Sequence, residues 1–154
     1  MKNNNIITID GPSASGKGSL AKALAKKLNF ILLDSGLLYR AYSYCFDLSQ
    51  NHSGATELFS NLRIDNIEHE MHVFEQKKDI TSILRHENVA KSASKLSSLK
   101  ETRENLISVQ RDLASNHGVG ADGRDTGTVV FPDAATTIFL IADEEVRATR
   151  RYAE

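Results

Sequence analysis

The run Asp10 to Ser19, DGPSASGKGS, sets three glycines and three hydroxyl side chains around a single lysine. Glycines let a backbone turn tightly, so that successive N–H groups face a polyphosphate. A lysine at the end of such a turn reaches the β- and γ-phosphates, and the helix that follows adds its positive N-terminal end. The spacing of Gly11, Gly16 and Lys17 is that of the phosphate loop G-x-x-x-x-G-K-[ST]. The hydroxyl, however, arrives one residue late: Gly18 follows the lysine and Ser19 comes after it. Gly11, Pro12, Ser13, Ala14, Ser15, Gly16, Lys17, Gly18 and Ser19 together form a candidate phosphate cradle. The alternative is a glycine-rich turn with no ligand, and the test is whether a strand precedes the run and a helix follows it.

Other groups suit the same chemistry. Arg40 follows a predicted strand-to-helix turn. Its rigid, permanently charged fork matches a second phosphate, against the plain alternative of a surface arginine. Ser35 shares that turn, and Tyr39 reads as a packing residue with a polar tip. Asp122, Arg124 and Asp125 lie in ADGRDTG, after a short apolar stretch. Ligands of open α/β sheets bind at the carboxyl ends of strands. An aspartate there holds Mg²⁺ directly or through water, or accepts from the exocyclic amine of a base. Asp34 ends another apolar run and reads equally well as a metal-side carboxylate or as a helix N-cap. The histidines do not read as a metal site: on a strand, His69 and His72 would face opposite ways. Cys45, in the apolar stretch AYSYCF, reads as core.

The elements that must position these groups follow from pattern. NIITI is a buried strand ending at Asp10. SLAKALAKKL is an amphipathic helix with Leu20, Ala23, Leu24 and Leu28 on its apolar face, ending near Asn29. FILLD is a second buried strand, so the chain opens as a βαβ unit. SGLLYRAYSYCFDLSQN is a helix and NHSGAT a loop. From Leu62 to Ile83 the alternation is β-like, with a polar turn at Gln76 to Asp79. The stretch from Glu87 is helical, but Ser98 and Glu101 form an S-x-x-E capping box, which predicts a break near Ser97–Ser98. Then come a short strand through GVGADG, a glycine-punctuated loop, a buried strand at TTIFLIA, and the start of an amphipathic helix at DEEVRATRRYAE.

Three segments taken together, GPSASGKGS, LLDSGLLYR and DGRDTGTVVFPDA, resemble the bacterial-type cytidylate kinases of the nucleoside monophosphate kinase family. The resemblance runs from about Ile6 to the last residue. Its phosphate loop is written G-x-x-x-x-G-K-G-[ST], which makes Gly18 a family feature and Ser19 the hydroxyl near metal and phosphates. The resemblance implies ATP-dependent phosphorylation of CMP and dCMP, in pyrimidine nucleotide metabolism. Lys17, Arg40 and Arg124 would be the catalytic cations. CMP would be bound by Ser35, Arg40, Ser94, Arg103, Arg124 and Asp125. Mg²⁺, carried with ATP, would be held near Ser19, Asp34 and Asp122. Ser94 and Arg103 are nine residues apart, which sets them on opposite faces of one straight helix at ~100° per residue; they converge only if the predicted break lies between them. A small residue at a helix contact is the alternative for Ser94.

The expected fold is α/β: a P-loop NTPase-like parallel sheet flanked by helices, one domain over 1–154, with a small antiparallel β insert at 60–88 in the monophosphate-binding lobe. Members of the resembled family continue past the last helix into an arginine-rich lid, which implies a domain incomplete at its C-terminus. Arg147, Arg150 and Arg151 stand where that lid would begin. Two other readings stay open: a nucleotide-binding fragment that does not turn over, and a related P-loop kinase for another small acceptor. With 19 basic and 20 acidic residues, the net charge of -1 gives no reason to propose nucleic acid as partner. No apolar run nears the roughly 20 residues that span a bilayer. The lone cysteine fits a reducing cytoplasm, and a monomer acting on small molecules is expected.

Overall fold

The β-branched run at the start forms β1 (Asn3–Asp10), seen in a computed structural model that describes residues 3–153. Ile6 and Ile9 are buried, as a strand flanked on both sides demands. Parallel neighbours lie on either hand: β6 (Val119–Gly123) and β7 (Ala134–Phe139). With β2 (Ile31–Asp34) on the far side of β6, the sheet order is β2-β6-β1-β7. The helix α1 (Lys17–Leu28) links β1 to β2, giving the expected βαβ start. Asn29 ends α1 in the left-handed region at φ 54°, and its N–H bonds the carbonyls of Ala25 and Lys26.

Two expectations here need correction. The buried face of α1 centres on Ala21 and Ala25; Leu20 and Leu24 are half-buried beside them, while Ala23 and Leu28 are exposed. The cause is close approach to β6, where a Cβ on Gly120 would stand 3.3 Å from the Ala21 carbonyl oxygen. Only small residues fit that contact. The run TTIFLIA is not a buried strand either. Its strand stops at Phe139 and, among the described residues, has a neighbour on one side only, so Phe139 is 66% and Ile141 74% exposed.

The chain divides into two compact units, one made of residues up to Asp34 with those from Leu113 on, the other of Ser35–Asp112. In the second, α2 (Ser35–Ser49) is the central helix. Leu37, Leu38, Ala41, Tyr42 and Cys45 are buried along it, and it packs against α3 (His52–Ser60) and α5 (Glu87–Leu96). The helix α3 replaces the loop expected at 51–56. Asn51 is its N-cap: the extended backbone there lets the side-chain oxygen accept from Gly54 N–H at 2.7 Å. The polar cluster that looks like a loop is a helix start. The break before α6 (Lys100–Ala114) falls where expected, yet by other bonds. Ser97 and Ser98 donate their hydroxyls back to the carbonyls of Ser94 and Lys95, closing the end of α5.

The antiparallel sheet is also there, as β3 (Leu62–Ile67), β4 (Glu70–Glu75) and β5 (Lys78–Asp79) in that order. It has a second turn that pattern reading missed, at Glu68 and His69, both with positive φ, as a two-residue hairpin turn requires. His69 is thus a turn residue. The β character ends at Asp79 rather than Ile83. The Asp79 carboxylate accepts from Thr81 N–H at 2.8 Å, and α4 (Thr81–Leu84) begins there.

Two measurements follow. Asn51→Ala removes the cap of α3 and should cost about 1 kcal/mol in denaturant unfolding, with the m-value unchanged. Asp79 has its carboxyl held down from 3.8 to about 2, first by the Thr81 hydroxyl and amide, then by His72. A depressed carboxyl stabilises the fold above its unfolded value and loses that effect as pH falls through the folded one. The contribution of Asp79 should therefore be constant above about pH 4 and fade toward pH 2; Asp79→Asn should remove that slope in an acid titration followed by the amide signals of β4 and β5.

Candidate functional site

The loop between β1 and α1 is shaped by left-handed residues. Gly16 caps α1 at φ 92°, and Ala14 also has positive φ, at 59°. An L-residue there costs about 1–2 kcal/mol, a strain that clusters at ligand-binding turns. Inside the loop, Ser15 N–H donates to Pro12 C=O at 3.3 Å, and Lys17 Nζ folds back onto the same carbonyl at 3.4 Å. The first turn of α1 is closed by Leu20 N–H on Gly16 C=O at 3.1 Å. Ser15 Oγ is buried without a hydrogen-bond partner among the described residues. Such an orphan costs about 1–3 kcal/mol unless a ligand supplies an acceptor. That vacancy, in a turn of N–H groups ahead of a helix N-terminus, is what a polyphosphate would fill.

The late hydroxyl now has a spatial reason. A Cβ on Gly18 would stand 3.0 Å from Oδ2 of Asp122, so a serine or threonine there would crowd the carboxylate. Asp122 pairs in register with Asp34 on β2, which brings two carboxylates side by side at the carboxyl ends of adjacent strands. Among the described residues, no three metal-ligating side chains cluster into a self-sufficient metal site. Mg²⁺ seldom needs one: it keeps several waters and binds through one or two carboxylates plus substrate phosphates. Asp122 beside Gly18, its register partner Asp34 and Ser19 in the first turn of α1 are oxygen donors of the type that ion takes.

Arg124 and Asp125 follow β6 directly. Arg124 is exposed and Asp125 half-buried. Beyond them the expected loop is a single π-type turn, Thr126–Val130. Its glycine is sterically required, since a Cβ on Gly127 would stand 2.4 Å from the Thr137 methyl and 2.5 Å from Thr8 Oγ1. The turn is held by Asp10, which pattern reading took only for the end of a strand. Buried at 2% exposure, its carboxylate accepts from Thr126 N–H at 2.9 Å, Gly127 N–H at 2.8 Å and the Thr126 hydroxyl. Also from the first unit, Arg150 on α7 (Glu144–Ala153) donates to the Ala14 carbonyl at 3.2 Å, on the rim of the phosphate loop.

In the second unit, Ser35 opens α2 and is buried, and Arg40 lies one turn further on. The Arg40 guanidinium donates to the Leu84 carbonyl at 3.2 Å, at the end of α4. Ser94 is exposed on α5, and Arg103 half-buried on α6. They stand on separate helices, so the nine-residue spacing no longer holds them on opposite faces. Cys45 is core, as expected; burial, then the Glu75 charge, pushes its thiol up to about 12, too high for a thiolate nucleophile at neutral pH.

A family model described as cytidylate kinase matches residues 7–154. Curated proteins similar to this chain bear the same name. One from Protochlamydia amoebophila is 41% identical over 155 residues, taking in 97% of this chain and 68% of that protein. Cytidylate kinase 2 of Haemophilus influenzae is 44% identical over 156 residues, 97% of this chain and 70% of its own length. One from Fusobacterium nucleatum is 40% identical over 153 residues, covering 98% and 70%.

The loop geometry makes a prediction independent of those names. Lys17→Ala should weaken binding of inorganic triphosphate by about 10- to 100-fold, the loss of one charge-assisted hydrogen bond, with the unfolding midpoint little changed. Isothermal titration of the two proteins checks it.

Proposed function

The chain belongs to the cytidylate kinase family, and from that premise we propose that it moves the γ-phosphoryl group of ATP onto the phosphate of CMP or dCMP. The observation that carries the reading is the phosphate loop Gly11–Ser19, with an orphaned Ser15 hydroxyl inside it and the Asp122 carboxylate against Gly18. The loop amides and the N-terminus of α1 hold the donor phosphates, and Lys17 leaves its carbonyl for their charge. Arg40 and Arg124 bind the acceptor phosphate, each through a fork that leaves one orientation for in-line attack. No covalent enzyme intermediate is needed: an acceptor phosphate oxygen bonds to the γ-phosphorus as its bond to the ADP oxygen breaks. Asp34, Asp122 and Ser19 would hold a Mg²⁺ ion carried with ATP, which would supply positive charge against the charge developing on the phosphates.

Base choice falls to Asp125 and Arg103, with Ser94 and Ser35 as further contacts to the nucleotide. Asp125 accepts from the cytosine N4 amine, and Arg103 donates to O2 and N3. Uracil presents an acceptor where cytosine has that amine, and a buried acceptor facing an acceptor is strongly rejected. The same reading makes the chain a monomeric protein of the cytoplasm in pyrimidine nucleotide metabolism. Among the described residues, no helix is long and apolar enough to cross a membrane.

The test is release of ADP from ATP with CMP, UMP, AMP or shikimate as acceptor. CMP should be used best, and faster use of another acceptor would overturn the reading. Arg103→Ala should lower the preference for CMP over UMP by about 10-fold or more, because it strips donors from the base site. An unchanged preference would remove Arg103 from base recognition.

A further inference from the structure

Arg124 and Asp125 form a two-residue bridge, and the structure pins one of its ends to Asp10, the last residue of β1, and the other to Gly11 just after it. On one side, the Gly123 carbonyl accepts from Gly11 N–H at 3.2 Å, the first amide of the phosphate loop. On the other, Thr126 and Gly127 give their amides, and Thr126 its hydroxyl, to the Asp10 carboxylate. Asp10 is 116 residues away from Thr126 in sequence, and all but inaccessible to solvent. The backbone between is fixed as well: the Asp125 carbonyl accepts from Val129 N–H at 2.9 Å and from Thr128 N–H at 3.3 Å, and Phe131 N–H closes the turn on Thr126 C=O at 2.7 Å.

The first amides of any helical turn need acceptors, and the turn at Thr126–Val130 has no side-chain cap from the residue before it. Asp10 supplies that cap from another strand. A carboxylate is suited to the task because it is acceptor-only: both oxygens meet donors, and a buried charge is tolerated when fully hydrogen-bonded. An asparagine of the same shape would turn an N–H₂ toward at least one backbone N–H, leaving two donors facing each other.

We propose that Asp10 is a positioning residue for the acceptor base: by capping the turn at Thr126–Gly127, its carboxylate fixes the bridge that carries Arg124 and Asp125. It touches no substrate and acts through that bridge. The inference rests on the assignment of Asp125 to the base, and extends it to a residue in the strand that leads into the donor's phosphate loop.

The experiment measures dissociation constants for CMP, UMP and ADP with the unaltered chain and with Asp10→Asn. The UMP-to-CMP ratio is the readout, because it does not depend on the fraction of protein that is folded; a merely structural role would lower the amount of binding protein and leave the ratio alone. Asp10→Asn should lower the ratio by about 10-fold, the scale of one mispaired buried polar group, with ADP affinity changed less than about threefold. Thr126→Val, which removes one of the three donors, should lower the ratio by a smaller factor, and Thr126→Ser should preserve it; these milder variants serve if Asp10→Asn does not fold. An unchanged ratio in Asp10→Asn and Thr126→Val would overturn the proposal. So would a parallel loss of ADP binding, which would make Asp10 a support of the phosphate loop instead. If the unaltered chain itself does not prefer CMP, the base assignment fails, and this inference with it; preference in the unaltered chain with an unchanged ratio in the variants condemns the Asp10 role alone.

Discussion

The carboxyl end of β1 is the constraint on which the chemistry of the first unit depends. Within two residues the chain must stop being a strand, open the phosphate loop and hold the next segment in place. Asp10 C=O still serves the sheet, accepting from Leu140 N–H at 2.8 Å. Its carboxylate serves the π-type turn instead. Gly11 comes next because there is no room for anything larger: a Cβ there would stand 2.2 Å from the Leu140 carbonyl oxygen. A parallel sheet makes this economy possible, since β1, β2 and β6 run the same way and bring their ends to one side. Asp34 and Asp122 thus become register partners on adjacent strands, while Asp10, opposite Gly123, turns its carboxylate to the Thr126–Gly127 turn instead.

A close contact on the neighbouring strand falls at the most unusual letter in the chain. The sheet register sets Asp122 against the first turn of α1, and Gly18 is the residue it meets. The hydroxyl stands one position along, on the exposed Ser19 in the first turn of α1. Strain is part of the same design. Ala14 sits at positive φ, where a glycine would be more comfortable, and its carbonyl is turned out to meet Arg150.

The second unit is organised around α2, and there the antiparallel sheet has a structural consequence for one arginine. The strand β4 holds Thr81 through Val73 N–H on its hydroxyl at 2.9 Å, and Asp79 starts the turn that becomes α4. The last residue of α4 then offers its carbonyl to Arg40. A long, flexible side chain is thereby given a fixed support, which lowers the entropy it would lose on binding an anion. The path from hairpin to arginine runs through hydrogen bonds between residues far apart in sequence.

Local order was written in the sequence where it depends on neighbours along the chain. The phosphate loop, the βαβ start, Asn29 as the end of α1, the break between α5 and α6, and Cys45 as core all follow from spacing, turn chemistry or hydropathy. The α3 cap at Asn51 and the hairpin turn at Glu68–His69 were legible in principle, because Asn and adjacent polar residues start helices and turns alike; pattern reading chose the wrong one at the first and overlooked the second. What only the tertiary structure decided is which side chains meet. Ala21 and Ala25 displace the leucines from the centre of α1 because Gly120 lets the helix approach. The end of the apolar run at β7 is exposed because, among the described residues, the strand has a partner on one side alone. Asp10 becomes the cap of a turn 116 residues away. Residue type sets what a group can do, and periodicity sets which way it faces on its own element. Sheet order and close packing set its partner, and those are properties of the whole chain.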